Sequence, residues 1–556
     1  RGPEADSKRG EAMTDTHKQP RALLAAFAVV AIVVLVGSVV ALVPEKTLTR
    51  ASLPSAAATS TRAVRVCEGP IVARQAGTQT SDADFAGGAP SPQVSMNAVA
   101  VDPSSNALYG GTQSSQTNLD PASSDTNGKD ASPRLSRVDA QGRAADVDAA
   151  SSALLNSVYG LDSLDASTIL TASTANKTAP VLDASQSHVT GSGDYRGFAL
   201  ARCAQATTSA SFAGLTTRAG TFDTLVVSNP GTRASRARVT VYSENGVEPA
   251  TQGSDIVVGP GETARVPVST LVDERETVAL DVEVRGTALA MSAELVRREG
   301  LVPQGTENVQ ASEPSSSLTW PGVVLREGGN AHLALARTAR GGEPGDAAQV
   351  RSEEAFATAR AFDAQGKLVK EWDVKDPGQG ATVEIPLDGL NAGTYTISLS
   401  ARSAVAGSLR SSIASGARQG DTVGLPQDFA EYAPSEAIDS ASVLALGHGA
   451  EGGSLTLNSE HGAHVSVAPI RRDGTIGASA SVDIKAGHSV TVNPDQLGKD
   501  PASIAGLLVV SQDGGAYRGA WSQTAAADDG GTLVTTLPLA ANAARATGMT
   551  VNLEPR

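Results

Sequence analysis

Ala237-Arg-Val-Thr-Val-Tyr-Ser-Glu-Asn-Gly246 contains the clearest structural signal in this chain. Apolar and polar residues alternate from Ala237 to Tyr242, so an extended strand would have one apolar face and one polar face. Asn245-Gly246 follows directly, and this dipeptide is the strongest two-residue hairpin signal because it accepts positive φ angles. The stretch therefore predicts a strand of an antiparallel sheet that is buried on one face.

Similar short runs surround this strand, and turn signals such as Asn229-Pro-Gly231 and Gly259-Pro-Gly261 separate them. The runs are Thr224–Val227, Ile256–Val258, Thr263–Val268, Val278–Val284 and Ala288–Leu295. Six or seven strands in about 100 residues is the pattern of a β-sandwich. We therefore predict an all-β fold made of immunoglobulin-like sandwiches.

The same order of strands and turns recurs twice further along the chain. The runs that open the three copies are 108 and 110 residues apart, measured at Leu225, Leu333 and Val443. An aromatic residue precedes each of these runs by 11–13 positions: Phe212, Trp320 and Tyr432. A hairpin turn follows each run: Asn245-Gly246, Gln365-Gly366 and Asp473-Gly474.

This recurrence predicts three tandem β-sandwiches at residues 206–315, 316–427 and 428–540. A single large β-domain is the alternative. A propeller is less favoured, because propeller blades repeat every 40–50 residues or so. Residues 541–556 form a predicted C-terminal tail.

One long apolar segment, Ala22 to Val43, contains 22 residues without a charge. A helix of this length reaches roughly 33 Å, enough to cross a hydrocarbon core of about 30 Å. Lys18 and Arg21 precede it, which predicts a cytoplasmic N-terminus and an extracytoplasmic remainder. A cleaved signal peptide, cut near Ser55–Ala58, is the alternative. Both readings export the rest of the chain.

The flanks of the predicted transmembrane helix are short. Residues 1–21 form the predicted cytoplasmic tail, and residues 1–12 precede the first methionine, Met13, so we interpret them as upstream translation. Residues 44–66 are rich in Thr, Ser, Ala and Arg and predict a stalk, because this composition cannot bury a core.

The chain has two cysteines, Cys67 and Cys203, and both follow the predicted membrane segment. An even number of cysteines in an oxidising compartment predicts that they pair. Two separate buried thiols are the alternative. The pair would close residues 67–205 into one unit, in which Thr112 to Ser132 forms a long polar loop.

Charge and composition exclude some classes of function. The 556 residues carry 44 Lys and Arg against 59 Asp and Glu, a net charge of −15. A chain this acidic repels phosphate backbones, so we exclude nucleic acid as a partner. Hydrophobic residues, at 40%, suffice for cores, whereas aromatics, at 3%, are too few for pockets lined with rings.

The search for reactive groups finds two weak clusters. His448, His461, His464 and His488 lie in one region, and Asp120, Asp125, Asn127 and Asp130 crowd one loop. Neither has the ligand spacing of a zinc or calcium site. No Ser-nucleophile, zincin, Walker or dinucleotide motif stands in a usable context. We therefore predict no catalytic residues, no cofactor and no metal.

Several strings resemble a known family. They are Cys67-Glu-Gly-Pro70, Gly193-Asp-Tyr-Arg-Gly-Phe-Ala-Leu-Ala-Arg-Cys203, Ser211-Phe-Ala-Gly214, Leu225–Gly231 and Val239–Gly246. Their order resembles an actinobacterial family of exported, membrane-anchored proteins known as a domain of unknown function (5719). The chain departs at Ser211-Phe212, where members usually carry tryptophans. The resemblance implies location and architecture, and it implies no activity.

Together these observations predict a single-pass plasma-membrane protein whose extracytoplasmic bulk is a cell-envelope scaffold or binding module. Envelope proteins and glycans are the expected partners. An accessory subunit of an envelope-polymer or glycan assembly machine is the alternative, and an extracytoplasmic hydrolase is a distant third.

Overall fold

The computed structural model describes 11 stretches of the chain: 62–71, 94–109, 132–138, 144–146, 151–153, 155–174, 179–300, 302–340, 355–414, 424–498 and 500–541. The predicted cytoplasmic tail, transmembrane helix, most of the stalk and the C-terminal tail lie outside them, and so does the loop that begins at Thr112. Among the described residues, no helix has both the length and the apolar character needed to cross a membrane.

The described chain is all-β, as the alternating pattern predicts. Its strands are joined by turns and by short 3-10 helices at Asn106–Tyr109, Gln252–Ser254, Val268–Thr270, Pro494–Gln496 and Pro501–Ser503. We call each set of strands that shares a pair of sheets a module. Four modules follow one another along the chain.

Module 1 consists of β1 (Ala63–Cys67), β2 (Val94–Val101), β3 (Arg134–Val138), β4 (Ala144–Asp146), β5 (Ser151–Ala153), β6 (Asn156–Leu161), β7 (Thr168–Ser173), β8 (Val181–Thr190) and β9 (Gly197–Arg202). Its sheets have the orders β1-β7-β3-β4 and β5-β6-β2-β8-β9. The strand β1 begins inside the segment predicted as stalk, because Val64 and Val66 pair with β7.

Module 2 consists of β10 (Ala206–Thr207), β11 (Ser209–Leu215), β12 (Thr224–Ser228), β13 (Ser235–Ser243), β14 (Gly246–Val247), β15 (Asp255–Val258), β16 (Thr263–Pro267), β17 (Val278–Arg285), β18 (Leu289–Glu299) and β19 (Val302–Gln310). One sheet has the order β11-β17-β13, with β14 and β15 both on β13. The other has the order β10-β18-β12-β16, with β19 also on β18. The predicted hairpin forms at Asn245-Gly246, where Ser243 pairs with Gly246.

Module 3 consists of β20 (Ser315–Leu325), β21 (Asn330–Ala336), β22 (Ala357–Phe362), β23 (Leu368–Val374), β24 (Thr382–Pro386), β25 (Gly393–Ala414) and β26 (Gln427–Tyr432). The long strand β25 belongs to both sheets. Its first part pairs with β20 and β22, and its second part pairs with β21 and β26.

Module 4 consists of β27 (Ala441–Ala445), β28 (Gly453–Asn458), β29 (Ala463–Arg471), β30 (Ala480–Ile484), β31 (Ser489–Val492), β32 (Ile504–Ser511), β33 (Arg518–Ala526) and β34 (Thr532–Pro538). Its sheets have the orders β27-β32-β29-β30 and β31-β28-β33-β34.

All four modules share one eight-strand topology once β25 is counted as two strands and the small additions β5, β10 and β14 are set aside. Numbered within a module, one sheet has the order 1-6-3-4 and the other has the order 5-2-7-8. Strands 6 and 7 lie in different sheets, whereas the corresponding strands F and G of the immunoglobulin constant fold share a sheet. Each module has its own hydrophobic cluster.

Two features of the repeat differ from the sequence prediction. First, residues 67–205 belong to a fourth copy of the module, whose very short strands β4 and β5 leave little alternation to read. Second, Val443 lies on strand 1 of module 4, whereas Leu225 and Leu333 lie on strand 2. Equal spacing along the chain cannot distinguish one strand of a module from the next.

The strand β26, with Tyr432, also crosses the predicted boundary at residue 428. It pairs with β25 and completes the sheet of module 3, so module 4 starts after Tyr432. Its aromatic residue resembled the ones that precede the other copies. Backbone pairing, which the side-chain pattern does not report, assigns the strand to the earlier module.

The four modules close into a ring. The eighth strands β9, β19, β26 and β34 pack against one another in cyclic order. At two junctions between consecutive modules, strand 1 of one module packs on strands 2 and 7 of the next: β11 on β21 and β25, and β20 on β28 and β33. Strand β27 of the last module packs in the same way on β2 and β8 of the first. Three of the four junctions therefore share this packing, and the last copy returns to the first.

Hydrogen bonds between modules hold the centre of this ring. The Thr535 hydroxyl accepts from the Leu200 backbone N–H at 3.0 Å and donates to Glu307 at 2.9 Å, which joins modules 4, 1 and 2. Asp428 of module 3 accepts from the Val534 N–H at 2.7 Å. Burial raises the pKa of both carboxyls, Glu307 and Asp428, well above the ordinary range.

Cys67 and Cys203 form a disulfide with a Cα–Cα distance of 4.3 Å. Cys67 ends β1 in one sheet of module 1, and Cys203 directly follows β9 in the other sheet. Both residues are fully buried in the core of that module. The bond therefore joins the first and last strands of module 1 across its two sheets.

Candidate functional site

A cavity with a volume of about 850 Å³ lies between modules 2 and 3. We call it the cleft. Strands β18 and β11 of module 2 and strands β21, β24, β25 and β26 of module 3 contribute to its walls and floor. Smaller cavities of about 330 and 340 Å³ lie at the junctions of modules 3 and 4 and of modules 4 and 1.

Two arginines and one aromatic ring form the floor of the cleft. The guanidinium groups of Arg297 and Arg410 both donate to the carbonyl oxygen of Gly214, at 3.0 and 2.8 Å. They lie 5.2 and 5.3 Å from the centroid of the Phe429 ring, within the range of cation–π attraction. The floor thus joins the first strand of module 2 to strands 7 and 8 of module 3.

Gly214 allows this close approach. Its φ angle is +82°, a conformation that side chains with a Cβ rarely adopt. A Cβ atom here would lie 2.7 Å from the Glu431 carboxylate and 3.1 Å from the Ser408 Cβ. Gly322, at the next junction, has a φ of +71°, and its Cβ would lie 2.8 Å from the Cβ of Thr456. The close glycine contact therefore recurs between modules.

Two carboxylates below the floor compensate the arginines. Asp223 lies 3.4 Å from Arg297, and Glu431 lies 2.9 Å from Arg410. Burial raises the pKa of Asp223, and the Arg297 charge and the Thr216 backbone N–H oppose that shift. Burial lowers the pKa of the Arg297 guanidinium. The floor therefore holds its charges in pairs.

Three donor–acceptor pairs lie higher on the walls, where they are partly exposed. His332 Nδ1 lies 3.1 Å from Glu384 Oε1, Ser412 donates to the Asn330 amide oxygen, and Arg218 lies 3.1 Å from Glu276. The wall can therefore offer donors and acceptors side by side.

The wall carboxylate Glu384 is ionised at neutral pH. Burial acts to raise the pKa of Glu384, but the hydrogen bond from His332 and the charge of Arg410 outweigh it, so the pKa is lowered. The wall therefore presents a charged acceptor beside the His332 imidazole.

The corresponding positions at the junction of modules 1 and 2 carry the opposite charges. In module 2, Val226 pairs with Arg265, and Thr224 pairs with Glu294. In module 3, the equivalent strands pair Ala334 with Glu384 and His332 with Arg410. Arginine and glutamate have thus exchanged places between strands 5 and 7.

An ion pair and hydrogen bonds span that first junction, which we call the sealed junction. Arg265 forms an ion pair with Glu294 and donates to the Glu68 carbonyl at 2.7 Å. The Gln186 amide accepts from the Gly69 N–H at 3.0 Å. Burial raises the pKa of the Glu68 carboxyl to about 7, and it lowers the pKa of the neighbouring His188 to about 3.

Among the described residues, the histidines that cluster in the sequence do not form a metal site. His464 pairs with Asp483 at 2.8 Å, His488 contacts the Ala486 carbonyl, and His448 packs edge-on against Phe198. Within the described stretches, no three His, Cys, Asp or Glu side chains are arranged to hold a metal ion. The acidic loop with Asp120 lies outside those stretches.

The cleft residues escaped the sequence analysis. Arg297, His332, Glu384 and Arg410 lie on four strands of two modules, and nothing in their spacing marks them as neighbours. The one signal was Ser211-Phe-Ala-Gly214, whose glycine forms the floor contact. From the sequence this string indicates the family and not a contact between modules.

Comparison with known proteins gives a family and little else. The search of curated proteins finds no match. A solved structure described as a tetra-tandem repeat in the extending region of a large adhesion protein aligns with 74% of this chain and 92% of its own. It is 13% identical to this chain, with a TM-score of 0.09. A family model matches residues 158–495, from β6 of module 1 into module 4, and this chain therefore belongs to the family of unknown function DUF5719.

Proposed function

We propose that this protein is a non-catalytic scaffold or binding module of the cell envelope. In this proposal, residues 22–43 anchor the chain in the plasma membrane, and the four sandwich modules, which we regard as immunoglobulin-like in a broad sense, project outward. The alternative role, as an accessory subunit of an envelope-polymer or glycan assembly machine, places the partner in the membrane instead.

The closed ring is the observation that carries this proposal. A closed ring of four modules resists bending better than a linear chain of domains joined by single linkers, whose relative motion is the default. At the closing interface, Asn97 donates to the Leu446 carbonyl at 2.6 Å, and Ser185 donates to the Ala445 carbonyl at 2.7 Å. Such a body is suited to holding loops and clefts in fixed positions.

The disulfide supports an extracytoplasmic location. Disulfides persist in oxidising compartments and are rare where thiols are kept reduced. Cys67 and Cys203 link the two sheets of module 1. Module 1 also supplies strands β2 and β8, on which the last module closes the ring. A reducing compartment would remove this link next to the ring closure.

Protease added to intact, wall-stripped cells tests the location. We expect digestion of the chain after Pro44 and survival of a cytoplasmic marker protein. Complete protection of the modules, with the protease active on a control surface protein, would contradict the proposal.

A pull-down from solubilised membranes separates the two roles. Recovery of wall or surface components with the full-length chain supports the scaffold. Recovery of a stoichiometric set of integral membrane proteins would favour the accessory role. As a control, the Asn391→Ala variant, whose change lies outside the cleft, is pulled down in parallel and should recover the same partners as the wild type.

A further inference from the structure

We propose that the cleft between modules 2 and 3 binds an uncharged, polyhydroxylated chain, that is, a neutral polysaccharide segment. The inference rests on the proposed role as an envelope binding module and names the ligand class of its site. It follows from the charge balance, the wall chemistry and the shape of the cleft.

Charge balance disfavours an anionic polymer. Each arginine that lines the cleft lies within ion-pair distance of a carboxylate: Arg218 with Glu276 at 3.1 Å, Arg297 with Asp223 at 3.4 Å, Arg298 with Asp194 at 3.1 Å and Arg410 with Glu431 at 2.9 Å. Further carboxylates, Glu244, Glu299 and Glu384, line the same cleft. A polyanion would meet compensated arginines and additional negative charge.

The wall chemistry suits hydroxyl groups. A hydroxyl donates one hydrogen bond and accepts others, so it fits where a donor and an acceptor lie side by side. His332 with Glu384, and Ser412 with Asn330, provide two such sites on neighbouring strands of module 3. Arg218 with Glu276 provides a third on module 2. Adjacent hydroxyls of a sugar can use both members of each pair.

The lining also excludes ligands that need an apolar pocket. Phe429 is the aromatic residue of the cleft, and it is 2% exposed beneath the two guanidinium groups. Stacking of a sugar on an exposed ring is therefore absent from this mode of binding. Contacts would be hydrogen bonds distributed along a chain, which gives a weak affinity for each sugar unit.

The size of the cleft fits a short segment of a polymer. Its volume of about 850 Å³ is near the upper end of the usual range for ligand sites. The equivalent cavities at the next two junctions are less than half as large, about 330 and 340 Å³. At the first junction, Arg265 and Glu294 form an ion pair at the equivalent positions. We therefore assign the binding function to the junction of modules 2 and 3, which holds the largest of these three cavities.

Titration calorimetry on the full-length chain in detergent tests this proposal. The probes are hexasaccharides of glucose, mannose, galactose and arabinose, with a hyaluronan hexasaccharide as the anionic probe and a glucosamine hexasaccharide as the cationic probe. We expect at least one neutral probe to bind and the charged probes to bind at least tenfold more weakly.

Two variants locate the site. Asn330→Ala and Glu384→Gln should each weaken binding of the neutral probe at least fivefold, because the first removes an acceptor of a wall pair and the second replaces a charged carboxylate oxygen with an amide donor. Asn391→Ala makes a matched change at an exposed turn outside the cleft and should bind as the wild type does. Circular dichroism confirms that each variant is folded.

Three results would overturn the proposal: no neutral probe binds, a charged probe binds more tightly, or both cleft variants bind like the wild type. Each of these leaves the protease and pull-down results untouched. A failure of the ligand class is therefore distinguishable from a failure of the scaffold role.

Discussion

The junctions of modules 1 and 2 and of modules 2 and 3 differ in where they place arginine and glutamate. Modules 2 and 3 pair strand 2 with strands 5 and 7 in the same backbone register, but the two charged residues are exchanged between strands 5 and 7. At the first, arginine lies on strand 5 and glutamate on strand 7, as Arg265 and Glu294. At the second, glutamate lies on strand 5 and arginine on strand 7, as Glu384 and Arg410. One junction is spanned by its ion pair, and the other holds a cleft of about 850 Å³.

The difference shows how one interface can be sealed or left open without a change of fold. In both cases an arginine donates to a carbonyl of the preceding module, that of Glu68 in one and that of Gly214 in the other. When the arginine lies on strand 5, it donates to the preceding module and forms an ion pair with the glutamate of strand 7. When the arginine lies on strand 7, the glutamate of strand 5 pairs with His332 instead, and it lines the cleft.

The largest expected effect comes from breaking the sealed ion pair. Arg265→Met should lower the free energy of unfolding by about 4 kcal/mol, because the buried carboxylate of Glu294, 1% exposed, loses its arginine partner. Glu384→Met at the equivalent position should cost less than about 1 kcal/mol, because that carboxylate is 30% exposed. Urea titrations followed by circular dichroism measure both. Equal losses would mean that the two junctions are energetically alike.

Removing the disulfide tests whether the stability of the sealed junction depends on that bond. The double variant Cys67→Ser, Cys203→Ser should lose about 3 kcal/mol, since the bond constrains a loop of 136 residues in the unfolded chain. The loss should appear in module 1 and in its junction with module 2, measured by hydrogen exchange of β1 and β9. The reduced wild type is the control. An unchanged urea midpoint would contradict the expectation.

The sealed junction should also respond to pH. Burial raises the pKa of Glu68 to about 7, above its ordinary value of 4.5, so folding favours the protonated form. The stabilising contribution of Glu68 to the free energy of unfolding is therefore fully present below about pH 4.5. It is lost as the pH rises to about 7, by about 3 kcal/mol in all.

Glu68→Gln isolates this group from the other buried acids. The variant should equal the wild type near pH 4 and be more stable at pH 8, as seen in the difference between two urea titration series. A difference that does not change with pH would show that Glu68 is not protonated on folding.

The smallest of these effects concerns the glycine at the floor of the open junction. Gly214→Ala should cost about 2 kcal/mol, from the strained φ and from contact of the new Cβ with Glu431 and Ser408. Gly193→Ala is the matched control, with a φ of +78° and open space around its Cβ, and should cost about 1 kcal/mol. Thermal unfolding compares them. If the two losses are equal, the interface contact adds nothing.

Much of the local structure was predictable from the sequence. The run Ala237–Tyr242 is a strand, and Asn245-Gly246 is its hairpin turn. The runs Val94–Val101, Ser167–Leu170 and Phe198–Leu200 of the first unit are strands or parts of strands as well. The cleft was not predictable, because Arg297 and Glu384 become neighbours only when two modules dock.

By itself, the sequence determined the all-β class, the hairpin turns, the disulfide partners and the family, because alternation, turn chemistry and a cysteine pair are properties of short segments. Only the tertiary structure decided that residues 67–205 belong to a fourth module, that β26 completes module 3 and that the last module closes on the first. Backbone carbonyls such as those of Gly214 and Leu446 carry these contacts. Every residue has such a carbonyl, so no pattern of side chains could have marked them.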